Sequence, residues 1–445
     1  MSEATTTASS IGRMLEAGRS SVPVLGWSIM VGALAGFVGG GFRWGAAHVE
    51  DGVSALRALG GNGTALSLAI SILTAALLVS VSLFLVRRFA PEAGGSGIQE
   101  IEGALDGVRP LRWARVLAVK FGAGLLSLGS GMVLGREGPT VQMGGALGQM
   151  LRERFRLAED AGRILVAAGA GAGLTAAFNA PLAGMLFVIE EMRPHFRYSV
   201  ISVQCVMIAC VIADVVVRGL LGAAPAYAIG SFSMPPLPGL VALAGFGVVI
   251  GVLGWCFNAS VFGMADLLAP MSRRTRMVLA TGVGGAIGAL LTLAPDLTGG
   301  GYSATRDAIS GHLPEMALIA LLSARFAITV ICFSTGVPGG IFAPMVALGA
   351  IAGLWFAGFV PTGFAAFDVS AGVFAVAGAG AFFSATVRAP LTGIVLAAEL
   401  TGEFQLILPV AITCITATLV AHALGGRPIY TMMLERTLAA EPPSA

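Results

Sequence analysis

Residues Gly129–Thr140 have the sequence GSGMVLGREGPT, which places an arginine and a glutamate inside an otherwise apolar part of the chain. Proline is tolerated in the first turn of a helix, where its missing N–H costs no hydrogen bond. The stretch therefore predicts a glycine-rich loop that opens into a helix at Gly138-Pro139 and continues from Thr140 to Leu151. The free N–H groups and the dipole of such a helix end form an anion site. Glu137 would be an anion tethered at an anion site, which suggests a gate where carboxylate and transported anion compete for one place.

The composition is that of a membrane protein. The 445 residues are 56% hydrophobic and 11% charged, with a mean hydropathy of +0.87. A soluble globular protein carries about 25% charged residues. Apolar stretches alternate with short polar joints, which favours helices over the strands of a barrel. We therefore expect an all-α polytopic membrane protein. The net charge of +2 indicates no particular partner, and the arginine clusters are typical of cytoplasmic loops.

The two ends of the chain differ from its apolar body. Residues 1–22 are polar and lack a charged region followed by an apolar core, so we expect a cytoplasmic N-terminal segment and no cleavable signal peptide. Residues 23–222 and 223–430 are predicted to form two membrane repeats. The remaining 431–445 is predicted to be a short tail without a soluble domain.

An internal repeat supports this division. The sequence AGAGA at 168–172 precedes APLAG at 180–184 and then Glu190, whereas AGAGA at 377–381 precedes APLTG at 389–393 and then Glu399. The spacing is identical in the two copies. Gly135–Pro139 also corresponds to Gly336–Gly340. Glycine- and proline-interrupted segments at corresponding places in two halves point to a transporter binding site. The sequence leaves open whether the repeats are parallel or inverted.

Three glycine-rich breaks are candidate anion-binding elements. They are Gly95–Ile98, Gly135–Pro139 and Gly336–Pro344, and each offers backbone N–H groups at a helix start. Ser96 adds a hydroxyl donor. A halide-sized ion held in this way needs no buried cation, so it can leave again, as conduction requires.

These motifs resemble those of the CLC family of chloride channels and proton/chloride exchangers, and most closely its bacterial exchangers. The resemblance extends from about Gly94 to Tyr430. It is carried by GSGI at 95–98, GREGP at 135–139, PGGIFAP at 338–344, FNAPLAG at 178–184 and IEEMRP at 189–194. It implies a CLC-like fold of two inverted repeats with many tilted, broken helices, and no CBS domains. It also implies a homodimer with one pathway per subunit in the lipid of the bacterial inner membrane. Chloride and protons would be its substrates, without a cofactor, metal, nucleotide or nucleic acid.

The resemblance also assigns the anion-binding residues. Ser96 and Tyr430 would hold a central chloride with their hydroxyls, helped by the backbone N–H groups of Ile341 and Phe342. The backbone around Arg136 and Gly138 would hold an external ion. The backbone around Gly95 and Ser96 would hold an internal ion. Serine at position 96 resembles the chloride-preferring members of the family.

Two glutamates are candidates for proton transfer. Glu137 resembles the external gating glutamate and Glu191 the internal proton acceptor of exchangers. A carboxylate at bilayer depth costs about 2.5–3.5 kcal/mol on insertion scales, so such acids are functional candidates. The alternatives are structural: Glu137 could pair with Arg136, and Glu191 could be solvated or paired with Arg193.

Other polar residues have simpler interpretations. We expect Glu100, Glu102 and Lys120, the only lysine, to form a buried structural ion network. Arg325 either adds positive potential to an anion vestibule or pairs structurally. Gln99 stands where the family motif GSGIP ends in proline, so its effect on anion affinity is an open question.

The sequence is compatible with three classes of function. The first is an exchanger of chloride for protons. The second is a passive anion channel of the same fold, which would need no internal proton acceptor such as Glu191. The third is an enzyme or nucleotide-driven pump. Three residues stand between Gly131 and Gly135, where a phosphate-binding loop has four, and Arg136-Glu137 replaces the required Lys-Ser/Thr. We therefore predict an exchanger and not an enzyme.

Overall fold

The architecture is taken from a computed structural model that describes residues 2–61, 63–192, 198–227, 230, 232–360 and 369–440. Side chains are described from residue 23 onward in these ranges, except at 315. Regular structure in these ranges is helical, apart from one isolated bridge between Gly135 and Gly340. Arg193 and Pro194 of the IEEMRP motif lie outside the described residues.

Counted over the described residues, the first half of the chain forms eight α-helices. They are α1 (Ser2–Leu59), α2 (Ala65–Phe89), α3 (Ile98–Leu105), α4 (Trp113–Gly129), α5 (Glu137–Arg154), α6 (Glu159–Phe178), α7 (Pro181–Glu190) and α8 (Val200–Leu221). The second half forms nine. They are α9 (Leu237–Leu268), α10 (Arg273–Leu293), α11 (Tyr302–Ile309), α12 (Leu318–Ser334), α13 (Phe342–Ala357), α14 (Ala371–Val387), α15 (Pro390–Thr401), α16 (Ile407–Ala423) and α17 (Ile429–Ala440). The predicted division at 222 and 223 lies directly after α8.

Helix lengths agree with a multi-pass membrane protein. In the described ranges, seven helical segments are long and apolar enough to cross a bilayer: Pro23–Leu59, Ala65–Phe89, Glu159–Phe178, Val200–Leu221, Leu237–Leu268, Arg273–Leu293 and Phe404–Ala423. A complete crossing takes about 20 residues. Helices α7, α12, α13, α14 and α15 are apolar but have only 10–17 residues. Such partial helices are tolerated where protein covers their ends.

The repeat in the sequence is also a repeat in the structure. Helices α6 and α14 both end at a residue in the left-handed region, Asn179 with φ 56° and Arg388 with φ 73°. Such a residue stops a helix. The Ala-Pro pair that follows then starts α7 in the first half and α15 in the second, because proline suits the first helical position.

Helices α7 and α15 cap each other. The carboxylate of Glu190, at the end of α7, accepts N–H groups from Leu391 (2.9 Å) and Thr392 (2.6 Å) in the first turn of α15. In return, the carboxylate of Glu399 accepts two N–H groups from the first turn of α7, at 3.0 and 2.8 Å. Each negative charge satisfies otherwise unpaired donors at a positive helix end. The two helices are therefore antiparallel, as inverted repeats require.

Glycines allow the central helices to approach closely. Gly144 of α5 faces Gly169 of α6, and Gly349 of α13 faces Gly378 of α14. A Cβ at any of these positions would collide with the carbonyl oxygen of the opposing glycine. Small residues at equivalent contacts in both halves pack the start of α5 and the start of α13 into the protein interior.

Candidate anion and proton site

Backbone hydrogen bonds join the three glycine-rich breaks. Gly135 and Gly340 exchange bonds of 2.6 and 2.7 Å. The N–H of Gly95 donates to the carbonyl oxygen of Gly336 at 3.3 Å, and the N–H of Gly339 donates to the carbonyl oxygen of Gly95 at 3.0 Å. The starts of α3, α5 and α13 therefore meet in one place. Because the Gly95 amide is already used, we expect the Ser96 amide to be the better anion donor of the pair.

Two of these glycines are needed for close contact. A Cβ on Gly138 would lie 2.5 Å from the Ser96 hydroxyl oxygen, and a Cβ on Gly340 would lie 3.0 Å from the Gly138 nitrogen. The first distance is too short for a Cβ atom, and the second would require the neighbouring backbone to shift. Glycine therefore allows Ser96 and the first turn of α5 to touch.

The carboxylate of Glu137 lies at the N-terminus of α13. The residue is fully buried and begins α5. One carboxylate oxygen accepts the Tyr302 hydroxyl at 2.5 Å, and the other accepts the N–H of Ala343 at 3.4 Å. Ala343 belongs to the first turn of α13, whose dipole favours a negative charge. The carboxylate is thus held by the Tyr302 hydroxyl and by the start of a neighbouring helix.

Arg136 does not pair with Glu137, so the structural alternative for Glu137 is wrong. Its guanidinium lies 4.3 Å from the centre of the Tyr302 ring, and its Nε donates to the carbonyl oxygen of Ala177 at 3.2 Å. Tyr302 lies outside the motifs that mark the other site residues in the sequence. The available signal was the triple glycine Gly299–Gly301, a fourth glycine-rich break that leads into α11.

Ser96 and Tyr430 are fully buried, and neither hydroxyl has a hydrogen-bond partner. Ser96 precedes α3, and Tyr430 lies in the first turn of α17. The two hydroxyls interact electrostatically with each other, and Tyr430 also interacts with Glu137. A buried hydroxyl without a partner is costly, so such groups are candidate ligand donors.

Ile341 and Phe342 complete the cluster. Both are fully buried, and they lie at the start of α13 directly before Ala343. The first N–H groups of a helix have no partner within it. Ser96, Gly138, Ile341 and Phe342 are thus placed at the helix ends that surround the Glu137 carboxylate.

Gln99 takes part in the start of α3. Its side-chain oxygen accepts the N–H of Gly97 at 3.2 Å, and Gly97 is in the left-handed region with φ 89°. The glutamine therefore uses a backbone donor that a proline at this position would leave free.

Glu191 lies beside a second buried carboxyl group. Glu191 follows α7 and is 6% exposed, while Glu102 of α3 is fully buried. The two carboxyl groups interact directly, and both oxygens of Glu102 and one of Glu191 lack a hydrogen-bond donor. Two carboxyl groups this close cannot both carry a charge cheaply, so the pair can share a proton.

The expected ion network around Lys120 is wrong in its direct partners, because Glu100 acts on the lysine only electrostatically. The buried Lys120 amine donates to the carbonyl oxygens of Ala93 (3.1 Å) and Gly95 (2.7 Å). Glu100 instead pairs with Arg109 at 2.8 Å, and Glu102 faces Glu191. Backbone carbonyls therefore replace the carboxylates expected around the lysine.

Two sets of cavities reach the cluster. The arginine cavity, of about 670 Å³, includes Gly95 and Gln99 and is also lined by Arg87, Arg109, Arg112 and Arg276. The Glu50 cavity, of about 370 Å³, is lined by Glu50, Arg57 and Tyr302. A pocket of about 80 Å³ extends from Glu50 to Arg136. The cavities therefore reach the cluster at its Gly95 end and at its Arg136 end.

Comparison with known proteins identifies the family. The family model described as voltage gated chloride channel matches residues 76–422. This chain belongs to the voltage-gated chloride channel, or CLC, family. The H(+)/Cl(−) exchange transporter ClcA of Vibrio parahaemolyticus is 47% identical over 433 residues, which cover 96% of this chain and 92% of the relative. The protein of the same name from Salmonella agona is 45% identical over 434 residues, with the same coverage.

Solved structures confirm the predicted CLC-like fold. A slow cyanobacterial Cl−/H+ antiporter superimposes with a TM-score of 0.91 at 39% identity, covering 94% of this chain and 98% of the other. A eukaryotic CLC transporter superimposes with a TM-score of 0.80 at 22% identity, covering 94% and 74%, and shows the fold alone. The relatives are named transporters, in agreement with the prediction that this CLC protein is not an enzyme.

Proposed function

We propose that this CLC protein exchanges chloride for protons across the bacterial inner membrane. The observation that carries the proposal is the position of the Glu137 carboxylate. It occupies the N-terminus of α13, while the unpartnered hydroxyl of Ser96 packs against Gly138, the residue that follows Glu137, and the unpartnered Tyr430 interacts electrostatically with Glu137. A carboxylate and a chloride ion need the same donors, so each excludes the other. The names of the relatives and of the cyanobacterial antiporter support the same exchange.

The chloride path runs between the two sets of cavities. The arginine cavity faces the cytoplasm and draws anions in by its positive potential. Chloride then passes the Ser96 backbone and is held between the Ser96 and Tyr430 hydroxyls and the first N–H groups of α13. The Arg136 and Gly138 backbone receives the ion after Glu137 moves aside, and the Glu50 cavity leads outside.

The proton path uses two glutamates. Glu137 takes up a proton from the Glu50 cavity, loses its charge and releases the donors of α13. Glu191, with Glu102 beside it, passes the proton to the cytoplasm. This buried carboxyl pair favours exchange over a passive channel, because a channel needs no internal proton acceptor.

The apolar surface of α7, α8, α15 and α16 supports a homodimer in lipid. Leu182, Val215, Leu391 and Leu419 are 48–62% exposed. The carboxylates of Glu190 and Glu399 join α7 and α15 through reciprocal helix caps, so this surface lies on a rigid part of the fold. We propose that a second copy covers part of it and membrane lipid the remainder, with no cofactor, nucleotide or nucleic acid involved.

Removing the Ser96 hydroxyl tests the anion site. Ser96→Ala is expected to weaken chloride binding about tenfold, because one hydrogen bond to a charged ligand is lost. Isothermal titration of purified protein with chloride gives the affinity. Ser260→Ala is the matched control, since that hydroxyl bonds Cys256 of its own helix. Equal chloride affinity in Ser96→Ala and wild type would contradict this site.

The Gln99 side chain is expected to weaken anion binding at the cytoplasmic end. Gln99→Pro removes the acceptor that uses the Gly97 N–H, and proline still fits a helix start. One freed donor should tighten chloride binding by about threefold to tenfold. The same titration measures it. An unchanged affinity would show that the Gly97 N–H does not face the ion.

A further inference from the structure

Tyr302 is fixed at the floor of the Glu50 cavity by a loop that a buried arginine holds. The Arg325 guanidinium, 1% exposed, donates to the carbonyl oxygens of Asp296 (2.5 Å), Thr298 (3.2 Å) and Gly299 (3.0 Å). These residues lead into Gly301, whose φ of 91° turns the chain into α11 at Tyr302. Arg325 therefore makes structural bonds to the backbone, and these bonds fix the loop that leads into α11.

The ring of Tyr302 is held on two sides. The Arg136 guanidinium lies over it, 4.3 Å from the ring centre, and the Tyr227 ring centre is 6.3 Å away. A guanidinium over an aromatic face is an attractive contact. With the ring fixed, the hydroxyl meets the Glu137 carboxylate at 2.5 Å. The hydrogen bond to that carboxylate from the Ala343 N–H is much longer, at 3.4 Å.

We infer that Tyr302 is a positioning residue that latches the Glu137 gate shut. Its hydroxyl holds the ionised carboxylate at the N-terminus of α13 and so strengthens it as a competitor of chloride. The inference rests on the proposed function, because it assumes that carboxylate and chloride alternate in one place. Tyr302 lies outside the three glycine-rich breaks. Its hydroxyl sets how easily chloride displaces the Glu137 carboxylate.

The latch makes opening depend on both chloride and protons. A hydrogen bond from a neutral hydroxyl to a carboxylate is stronger than one to the protonated acid. Protonation of Glu137 therefore weakens the latch at the same time as it removes the charge attracted to α13. Without the Tyr302 hydroxyl, the Glu137 carboxylate is held less strongly and chloride displaces it more easily. Opening then depends less on prior protonation of Glu137.

Tyr302→Phe tests the latch with little change in packing. The phenylalanine ring keeps the contacts with Arg136 and Tyr227. Chloride titrated into purified protein at neutral pH is expected to bind about tenfold more tightly than in wild type, because the competing carboxylate has lost a charge-assisted hydrogen bond. Chloride flux in liposomes should rise less steeply on acidification. Tyr198→Phe is the control, since the Tyr198 hydroxyl donates to the carbonyl oxygens of Val188 and Ile189 and not to Glu137, and its chloride affinity should equal that of wild type.

A double-mutant cycle separates a latch from a general structural effect. In a Glu137→Ala background the carboxylate is absent, so Tyr302→Phe should leave chloride affinity unchanged. An equal gain in both backgrounds, or no gain in the wild-type background, would overturn the latch. Such results in a protein that still exchanges chloride for protons would leave the proposed function standing. A wild type that neither binds nor transports chloride would overturn both.

Discussion

Glu137→Gln is expected to abolish proton coupling and to make chloride flux independent of pH. Glutamine cannot carry a negative charge, so it does not compete with chloride at the N-terminus of α13. In wild type, acidification should increase chloride flux, because protonation releases the carboxylate from the Ala343 N–H and the Tyr302 hydroxyl. In the variant the gate is permanently neutral, and no proton can be taken up at this position.

The measurement is chloride efflux from liposomes over a range of pH, with proton movement recorded at the same time. Glu153→Gln is a matched control on the same helix, where the carboxylate bonds the Trp113 and Gln149 side chains at an exposed end of α5. It should behave as wild type. Chloride flux in Glu137→Gln that rises on acidification as in wild type would rule out this glutamate as the gate.

Glu191→Gln is expected to abolish proton transport while chloride flux continues. The anion donors around Ser96, Tyr430 and α13 are untouched by this change. The proton path is broken, because the 6% exposed Glu191 is the member of the carboxyl pair that is nearer to solvent, whereas Glu102 is fully buried. A single carboxyl group left at the Glu102 position cannot exchange protons with the cytoplasm.

Glu190→Gln is the matched control for this experiment. Glu190 is adjacent in sequence, but its carboxylate caps α15 through Leu391 and Thr392. Its replacement should lower stability slightly and leave proton coupling in place. Full coupling in Glu191→Gln, or loss of coupling in both variants, would remove the special role of Glu191. The anion path could stand in either case.

The sequence predicted the fold well because its decisive features are local. Glycine and proline break helices wherever they occur, so the starts of α5 and α13 were visible as GREGP and PGGIFAP. The identical spacing before Glu190 and Glu399 revealed the repeat. The sequence did not show whether the repeats are parallel or inverted. That depends on contacts between distant residues, namely which helix N-terminus Glu190 and Glu399 each cap.

The site was predicted only where a motif marks it. Ser96 and Glu137 lie in such motifs, and Ser96 packs against Gly138, the residue that follows Glu137. Tyr302 lies 165 positions from Glu137 in the sequence. The loop that Arg325 holds places the Tyr302 hydroxyl beside the Glu137 carboxylate. Glu102 was assigned to Lys120 because opposite charges were expected to pair. The lysine is satisfied by two carbonyl oxygens instead, which no sequence pattern indicates.

Exchange itself is tested most directly in the wild-type protein. Purified protein is placed in liposomes loaded with chloride, in weakly buffered medium of low chloride at equal pH on both sides, and the external pH is recorded. Chloride leaving down its gradient should drive protons into the liposomes, so that the external medium becomes alkaline against the growing proton gradient. Chloride efflux without any proton movement would contradict exchange and leave a passive anion channel of the same fold.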